Sequence, residues 1–532
     1  MKLNIESLKN ASQWQDVKLP QFDIAQVAKN TDERPKWIHF GAGNIFRGFI
    51  ARVNQTILDL GLEDTGIIAV DTFDFDIIDK IYTPYDNLTM LVRLRADGKM
   101  DKEVIAGVSR AYKASAEFEE YKNLVSAFEN PSLQMISFTI TEKGYALKNP
   151  QGEYLGVVAE DIKNGPAAPK HAMSIVASLL HKRFEKGELK LAVCSMDNCS
   201  HNGAKLQASI VEIAERWCEN GFVTKEFVAY LKDESKVSFP WSMIDKITPR
   251  PAKSVEEELL KLGLEDMAPI VTSKNTFIAP FVNAEIPEYL VIEDKFPNGR
   301  PALEKGGVYV TDRDTVNNVE TMKVTTCLNP LHTALAVYGC VLGHTRIFEE
   351  MRDSNLRKLV EKIGYEEGMK VVVDPKIISP KAFIDEVINE RLSNPFIPDE
   401  PQRIATDTSQ KVGIRFGETI KSYARSEELN VADLTYIPLA IAGWLRYLLA
   451  VDDNGNELAL SSDPLLEELT SKLSTVKLGG AYNGEILEIL SNANIFGANL
   501  VEIGLADKIE GMFKELIAGN GAVKATLDKY LA

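Results

Sequence analysis

Short apolar runs, each about the length of one buried strand, recur through the first half of the chain. The clearest of them occupy residues 37–40, 66–70, 135–140 and 191–194. They are rich in Ile, Val and Phe, which favour strands. Helix-length segments lie between or after these runs, at residues 45–60, 117–128, 168–185 and 204–219. This alternation predicts an α/β fold with a mainly parallel sheet that helices cover on both faces.

The pattern changes near residue 310, after which strand-like runs give way to helical ones. The predicted helical segments are 315–343, 354–370, 380–393, 415–427, 433–451, 463–474, 483–493 and 504–531. We therefore expect two domains, an α/β domain over residues 1–309 and a mostly α-helical domain over residues 310–532. No internal repeat is evident.

Composition excludes several classes of protein. The 532 residues include 60 Lys and Arg against 77 Asp and Glu, a net charge of −17. Such an acidic chain lacks the cationic character of a general nucleic-acid binder. No apolar stretch is long enough for a membrane span, and the first residues do not resemble a secretory signal. The five cysteines form no CxxC pair, so we expect reduced thiols and a cytoplasmic protein.

A glycine-rich segment follows the first predicted strand and precedes a helical pattern. Its candidate cofactor-binding residues are Gly41, Gly43, Asn44, Ile45, Phe46 and Arg47. Small residues at such a turn allow a pyrophosphate to approach the backbone, and the following helix offers N–H donors. The spacing is GxGxxF rather than GxGxxG, and an ordinary glycine turn is the alternative.

The second predicted strand ends at Asp71. A carboxylate there can accept hydrogen bonds from the hydroxyls of an adenosine ribose and would repel a 2′-phosphate. Together with the glycine segment, Asp71 predicts a Rossmann-type domain that binds NAD in preference to NADP. A solvated aspartate at the end of a strand is the alternative.

A second polar cluster lies at the start of the helical half, with Glu320, Lys323, Asn329 and His332. A lysine can act as a general acid or base, and a carboxamide can stabilise a developing alkoxide. Asn329 is also a good candidate for the N-cap of a helix that Pro330 opens, which would be a purely structural role. A histidine on an apolar helix is more often a core residue.

A third polar patch, residues 195–203, follows the fourth predicted strand. Ligands of open α/β sheets bind beyond the carboxyl ends of the strands, so Asn198 is placed to offer a carboxamide to a reacting oxygen. A turn built from Asp and Asn is the alternative. Six scattered histidines give no metal-ligand spacing, and we expect no metal site.

Together these motifs resemble those of the polyol-specific long-chain dehydrogenases, the mannitol dehydrogenase and mannonate oxidoreductase family. The segments that carry the resemblance run in order from about residue 37 to 451: 40–47, 139–145, 197–203, 242–249, 291–301, 320–332, 391–395, 403–405 and 444–447. The resemblance implies an expanded Rossmann domain, a mostly helical second domain, an active site between them, and metal-free chemistry with a nicotinamide cofactor.

The resemblance also implies roles for individual residues. The catalytic set is Lys323 as acid and base, Asn198 and Asn329 on the substrate carbonyl, His332 as the orienting residue, and Glu320 near the proton path. The substrate-binding set is Asp245, Arg403, Lys411 and Glu142. This chain has six residues from the lysine to the asparagine, where the family usually has five, and proline rather than glycine follows the asparagine.

The resemblance is nearest to the sugar-acid reductases, so we expect reduction of D-fructuronate by NADH to D-mannonate. Tagaturonate reductase and mannitol 2-dehydrogenase are alternatives within the family. A protein that binds NAD and a sugar acid without turnover is an alternative of another class. The expected partner is a small sugar acid or polyol, not nucleic acid or a membrane. The sequence does not indicate which oligomeric state the protein adopts.

Overall fold

The computed structural model describes residues 1–532 and divides into two compact units. We refer to Met1–Val316 as the N-terminal unit and to Asn317–Ala532 as the C-terminal unit. The strands, all in the N-terminal unit, are β1 Val17–Lys18, β2 Trp37–Phe40, β3 Ile67–Asp71, β4 Thr89–Leu94, β5 Met100–Ile105, β6 Val108–Lys113, β7 Met135–Phe138, β8 Leu191–Ser195, β9 Val237–Ser238, β10 Ser242–Asp245, β11 Ile270–Val271, β12 Phe277–Ile278, β13 Phe281–Glu285, β14 Tyr289–Glu293 and β15 Tyr309–Thr311.

The first eleven α-helices, of which the last continues past the end of the N-terminal unit, are α1 Ile5–Leu8, α2 Ile24–Glu33, α3 Ala51–Asp59, α4 Phe75–Ile77, α5 Tyr121–Glu129, α6 Gly156–Asn164, α7 Ala172–Glu185, α8 Asn202–Glu219, α9 Lys225–Lys232, α10 Lys253–Lys261 and α11 Arg313–Met322. The later helices are α12 Asn329–Leu342, α13 Ile347–Glu350, α14 Ser354–Glu361, α15 Pro380–Glu386, α16 Pro401–Ile404, α17 Glu418–Arg425, α18 Tyr436–Tyr447, α19 Leu466–Lys472, α20 Leu487–Leu490, α21 Ala493–Phe496, α22 Ala506–Leu516 and α23 Ala522–Tyr530.

A six-stranded parallel sheet forms the centre of the N-terminal unit. Its strands lie in the order β6-β3-β2-β7-β8-β9, with every neighbouring pair parallel. Numbered along the chain within this sheet, the order is 3-2-1-4-5-6, which is the Rossmann arrangement. The predicted α/β fold class is therefore confirmed, and the four apolar runs that predicted strands are β2, β3, β7 and β8.

Side chains of the central strands alternate between two apolar cores, one on each face of the sheet. In β2, Ile38 and Phe40 belong to the core that also contains Trp217 of α8. Trp37 of the same strand belongs to the core that contains Ile50 and Ile57. Buried apolar residues on both faces explain why these strands are continuous apolar runs.

Three smaller sheets were not predicted from the sequence. One has the order β1-β5-β4-β13, another β10-β14-β15, and β11 pairs with β12. In β5 the sequence Met100-Asp-Lys-Glu-Val-Ile places three charged residues side by side, so no apolar run marks it. The β6 strand of the main sheet was missed for a similar reason, because polar residues interrupt it.

The C-terminal unit is helical, as predicted. Its interior includes α12 and α18, where the Tyr338 hydroxyl donates to the carbonyl oxygen of Leu439 at 2.7 Å. Gly443 permits this approach, since a Cβ there would lie 2.4 Å from the Tyr338 ring. The predicted helical segment 504–531 contains two helices, α22 and α23, and Gly519 and Gly521 between them have positive φ. Among all helices, none has both the length and the apolar character needed to cross a membrane.

Candidate active site

The glycine segment forms a tight turn between β2 and the helix that follows. Gly41 has φ of +101°, and a Cβ at this position would lie 2.2 Å from the carbonyl oxygen of Thr139. Only glycine fits there. A Cβ at Gly43 would meet nothing within 4 Å, so this position faces open space. The turn therefore has the contact with the sheet and the free space that a bound pyrophosphate requires.

Asp71 ends β3 and is held by backbone amides. Its Oδ1 accepts from the amides of Phe73 and Asp74 at 2.8 and 2.7 Å, and its Oδ2 from that of Ala42 at 3.4 Å. Burial raises the pKa of this carboxyl, and the three amide contacts oppose that shift. A cavity of about 370 Å³ begins at the next residue, Thr72. Asp71 thus stands between the glycine turn and a space large enough for part of a nucleotide.

A second cavity of about 320 Å³ lies beyond the carboxyl ends of β2, β7 and β8. Four of the predicted site residues line it: Gly43, Asn44, Ile45 and Asn198. Asn198 is exposed, and its carboxamide has no hydrogen-bond partner in the chain. The N-terminal unit therefore brings the predicted loop and the predicted carboxamide to one cavity.

Asp197 positions the loop that carries Asn198. The sequence analysis did not identify this role. It accepts from the Tyr145 hydroxyl at 2.6 Å and from the amides of Ile140 and Thr141, both at 2.9 Å. Burial raises the pKa of Asp197, although these hydrogen bonds oppose the shift. Asn202 fixes the other end of the loop by donating to the carbonyl oxygen of Asp197 at 3.0 Å. The fold therefore holds the backbone next to Asn198 from both sides.

Lys246 is a further cavity residue that the sequence analysis did not single out. It follows Asp245, which is buried at the end of β10. The Lys246 ammonium donates to the carbonyl oxygen of Glu285 at 2.6 Å and to Glu288 at 2.8 Å. Burial lowers the pKa of Lys246, although Glu288 opposes the shift. A buried lysine is recognisable in the sequence only once its strand pairing is known.

Three other predicted residues have side chains elsewhere. Phe46 is buried and stacks on His39 with 4.2 Å between ring centroids. Arg47 is also buried, donates to Thr89 at 3.2 Å, and has its pKa lowered to about 10 by burial. Glu142 is exposed and forms a surface ion pair with Lys205. For these three residues, the cofactor and substrate contacts stay predictions.

In the C-terminal unit, Lys323 begins a wide (π) turn, Lys323–Cys327, that joins α11 to α12. The Lys323 side chain is buried, with 4% of its surface exposed, and Glu320 lies one helical turn earlier and is partly exposed. Wide turns contain one more residue than an α-helical turn and are common at functional sites. The six-residue spacing from Lys323 to Asn329 is accommodated in this turn.

The prediction that Asn329 caps α12 was wrong. The helix begins at Asn329 itself, the cap residue is Leu328, and no side chain makes a capping hydrogen bond. The wide turn supplies the connection instead, because the amide of Leu328 bonds to the carbonyl oxygen of Lys323 at 3.1 Å. The Asn329 carboxamide is partly exposed and has no hydrogen-bond partner within the chain. It is therefore available to a ligand.

His332 interacts with a carboxylate that the sequence analysis did not identify, Asp399. The imidazole Nε2 lies 2.8 Å from Oδ2 of Asp399, and the Arg403 guanidinium binds Oδ1 of the same carboxylate. Burial opposes ionisation of Asp399, but His332 and Arg403 together lower its pKa. Asp399 lies between two prolines in a connection without regular structure, so no pattern marked it.

Lys411, the last predicted substrate contact, is half-buried and donates to the carbonyl oxygen of Thr406. Burial lowers the pKa of Lys411, and the charges of Arg415 and Arg403 add to the shift. His332, Arg403 and Lys411 are thus neighbours in the C-terminal unit. The structure brings His332 to two residues that lie more than 70 positions later in the sequence.

A Rossmann sheet with a glycine turn and an acidic residue after its second strand defines a dinucleotide-binding oxidoreductase class. Comparison with models of known protein families identifies which family of this class the chain matches. Residues 35–305 match the mannitol dehydrogenase Rossmann domain, and residues 315–516 match the mannitol dehydrogenase C-terminal domain. The chain belongs to the mannitol dehydrogenase family, and the predicted resemblance is confirmed.

Similar proteins support the same assignment. The chain is 53% identical to a D-mannonate oxidoreductase of Thermotoga maritima, with 99% of each chain covered. It is 27% identical to a D-mannonate oxidoreductase of Escherichia coli over 88% of this chain and 92% of that protein.

Two solved structures are also similar over nearly the whole of each chain. A substrate-free D-sorbitol dehydrogenase has a TM-score of 0.82 and 25% identity, covering 99% of this chain and 100% of that one. The Pseudomonas fluorescens mannitol 2-dehydrogenase in ternary complex with NAD and D-mannitol has a TM-score of 0.70 and 26% identity, covering 100% and 99%.

Proposed function

We propose that this protein is an NAD-dependent oxidoreductase that interconverts a keto sugar acid and an aldonate, with D-fructuronate and NADH giving D-mannonate. Membership of the mannitol dehydrogenase family confirms the expected enzyme class, which acts on a secondary alcohol. The similarity to a D-mannonate oxidoreductase over the full chain supports the choice of substrate.

One observation carries the preference for a sugar acid over a neutral polyol. Asp399 joins His332 to Arg403, and Lys411 lies close enough to Arg403 for their charges to interact. Cations are therefore present beside the residue proposed to orient the substrate. A carboxylate on the substrate gives the Lys411 ammonium an ionic partner, whereas a neutral sugar does not.

The residues of the N-terminal unit fit NAD. Gly41 allows the turn to pack closely against Thr139, Gly43 leaves the backbone open to a pyrophosphate, and Asn44 and Ile45 line the adjoining cavity. Asp71, at the end of β3, is proposed to accept hydrogen bonds from the ribose hydroxyls, which favours NAD over NADP. When bound, the dinucleotide supplies or accepts the hydride.

The proton and the carbonyl polarisation come from the protein. Lys323, buried at the head of the wide turn, is proposed to give a proton to the substrate oxygen during reduction and to take it back in oxidation. Asn329, in the C-terminal unit, is proposed to donate its amide N–H to that oxygen. A donor of this kind lowers the barrier by about 3–4 kcal/mol.

The remaining residues have supporting roles in the proposal. Asn198, in the N-terminal unit, is the second carboxamide for the carbonyl, and His332 orients the substrate with Asp399 behind it. Glu320 stands one helical turn from Lys323, where it can assist the transfer of its proton. Asp245, Arg403, Lys411 and Glu142 are proposed to contact the substrate.

A substrate panel tests this function. The purified enzyme is assayed with fructuronate, tagaturonate, fructose and mannitol, each with NAD(H) and NADP(H), by the absorbance of the reduced cofactor. We expect the highest kcat/KM for fructuronate with NADH. Preference for tagaturonate or for fructose would assign one of the family's other activities. Binding of NADH and fructuronate without turnover would contradict an enzymatic role.

A further inference from the structure

We propose that Arg415 binds the carboxylate of the sugar-acid substrate and thereby selects sugar acids over neutral sugars. This inference rests on the proposed function and extends it, because Arg415 belongs to none of the motifs that predicted the site. The argument depends on where the guanidinium is held, what it contacts, and which charges surround it.

The Arg415 side chain is mostly buried and has no acidic partner. It lies in a second wide turn, Gly413–Gly417, before α17. Its Nη1 donates to the hydroxyl of Thr333 at 2.5 Å, which is the only hydrogen bond of the side chain. Burial alone lowers its pKa to about 10, with no carboxylate opposing the shift. A mostly buried cation without a counter-charge is unfavourable unless a ligand supplies one.

Thr333 ties this guanidinium to the turn of α12 that carries the proposed catalytic residues. Its hydroxyl accepts from Arg415 and donates to the carbonyl oxygen of Asn329 at 3.0 Å. Thr333 also follows His332 directly in the chain. Only the Thr333 side chain therefore separates the Arg415 guanidinium from the turn of α12 that is proposed to hold the substrate.

Two of the neighbouring acidic groups, Asp463 and Asp399, have other partners. Lys411 lies one helical turn before Arg415, whose amide bonds to the Lys411 carbonyl oxygen at 3.0 Å. Asp463, which acts electrostatically on Lys411, accepts the amide of Ser409 at 2.8 Å and its hydroxyl as well. Asp399 binds His332 and Arg403, as described above. The positive charge of Arg415 is thus left for a ligand.

The geometry of the group specifies the ligand. A guanidinium presents two parallel N–H donors, which match the two oxygens of a carboxylate. Fructuronate and fructose differ only at the chain end remote from the keto group, where one has a carboxylate and the other a hydroxymethyl group. This pair of substrates isolates the carboxylate interaction from every other contact.

The test compares Arg415→Met and Arg415→Lys with the wild-type enzyme on fructuronate and on fructose. For Arg415→Met, we expect kcat/KM for fructuronate, divided by kcat/KM for fructose, to fall about 100-fold. This is the size of effect expected when a charged group loses its hydrogen-bonding partner. Most of the loss appears as a raised KM for fructuronate. Arg415→Lys retains the charge but lacks the paired donors, so we expect its ratio to lie between those of Arg415→Met and the wild type. Arg425→Met, at an exposed arginine of α17, is the matched control and retains the wild-type ratio.

Equal losses on both substrates, or an unchanged ratio, would overturn the assignment of Arg415. A separate binding measurement keeps the two proposals distinguishable. In calorimetric titrations of the NAD-loaded protein, Arg415→Met is expected to weaken mannonate at least tenfold more than mannitol. If the wild type reduces neither keto substrate, the proposed function fails, and this difference in binding still decides the role of Arg415. Equal weakening of both ligands contradicts it.

Discussion

The imidazole of His332 lies 2.8 Å from the carboxylate of Asp399, a residue from a different segment of the C-terminal unit. The second oxygen of this carboxylate binds Arg403. A carboxylate in this position fixes the orientation of the ring. Asp399 therefore connects the residue proposed to orient the substrate with a cation proposed to contact it.

Asp399→Asn keeps the shape of this side chain and removes its charge. We expect kcat for fructuronate to fall by about 100-fold, because a small displacement of a group in an active site has an effect of this order. NADH affinity, measured by fluorescence titration, should stay at the wild-type value. Asp374→Asn, which removes a carboxylate from an exposed ion pair, is the control. Wild-type turnover in Asp399→Asn would show that His332 does not depend on Asp399.

Lys323→Ala tests the proposed acid and base directly. The substitution should lower kcat by at least about 100-fold, the lower end of the usual effect of a general acid or base, while NADH still binds. Lys370→Ala, at an exposed lysine of the same unit, should leave kcat unchanged. Unimpaired turnover in Lys323→Ala would exclude this lysine from proton transfer.

The sequence predicted those parts of the fold and the site that depend on neighbours along the chain. Apolar runs located β2, β3, β7 and β8, because a strand buried on both faces must be apolar throughout. It did not reveal β5, where charged residues interrupt the pattern. Helix ends were inaccurate in the C-terminal half, where the wide turn at Lys323 replaced the expected cap.

The same distinction applies to the site. The glycine turn and Asp71 follow from local spacing around a strand, so the sequence could indicate both. Asp399 and Arg415 act through contacts with α12, which is distant in the sequence. No local pattern encodes such contacts, and only the folded C-terminal unit identifies these two residues.

The two glycines of the turn should respond differently to alanine. Gly41→Ala combines a φ of +101° with a Cβ 2.2 Å from a carbonyl oxygen, so we expect a loss of more than about 2 kcal/mol in the free energy of unfolding. Gly43→Ala adds a methyl group to open space and should change stability by less than about 0.5 kcal/mol. Thermal unfolding measures both.

Gly43→Ala also tests the cofactor site, because its methyl group would occupy the space proposed for the pyrophosphate. We expect the Kd for NADH to rise at least about tenfold, equivalent to 1.4 kcal/mol. An unchanged Kd in a stable Gly43→Ala protein would place the dinucleotide elsewhere.

Asp71→Asn should relax the preference for NAD. Removing the negative charge eliminates repulsion of a 2′-phosphate and weakens the hydrogen bonds to the ribose hydroxyls. We expect the ratio of kcat/KM for NADPH over NADH to rise by about 10- to 100-fold, since juxtaposed like charges cost several kcal/mol. Asp79→Asn, at a carboxylate paired with Lys113 on the surface, should not alter the ratio. A constant ratio in Asp71→Asn would mean that another residue selects the cofactor.

Glu350 predicts a pH dependence of stability. Both of its carboxyl oxygens are buried without a hydrogen-bond partner, and the group packs against Gly339, where a Cβ would lie 1.7 Å from Oε1. Burial raises the pKa of Glu350 well above its usual range, and the charges of Asp399 and Glu349 add to the shift. The folded protein therefore retains a proton that the unfolded chain releases above its ordinary pKa of about 4.3.

The sign of the effect follows from this difference. As the pH rises above about 4.3, the free energy of unfolding of the wild type decreases, until Glu350 also ionises in the folded state. Glu350→Gln has no carboxyl group here and shows no such decrease. The free energy of unfolding of the variant, relative to the wild type, should increase as the pH rises above about 4.3, by up to about 1.4 kcal/mol per pH unit. Urea unfolding at each pH measures this difference. Glu366→Gln, in an exposed ion pair with Lys362, should show none. Parallel stability curves for Glu350→Gln and the wild type would mean that the buried carboxyl does not retain its proton.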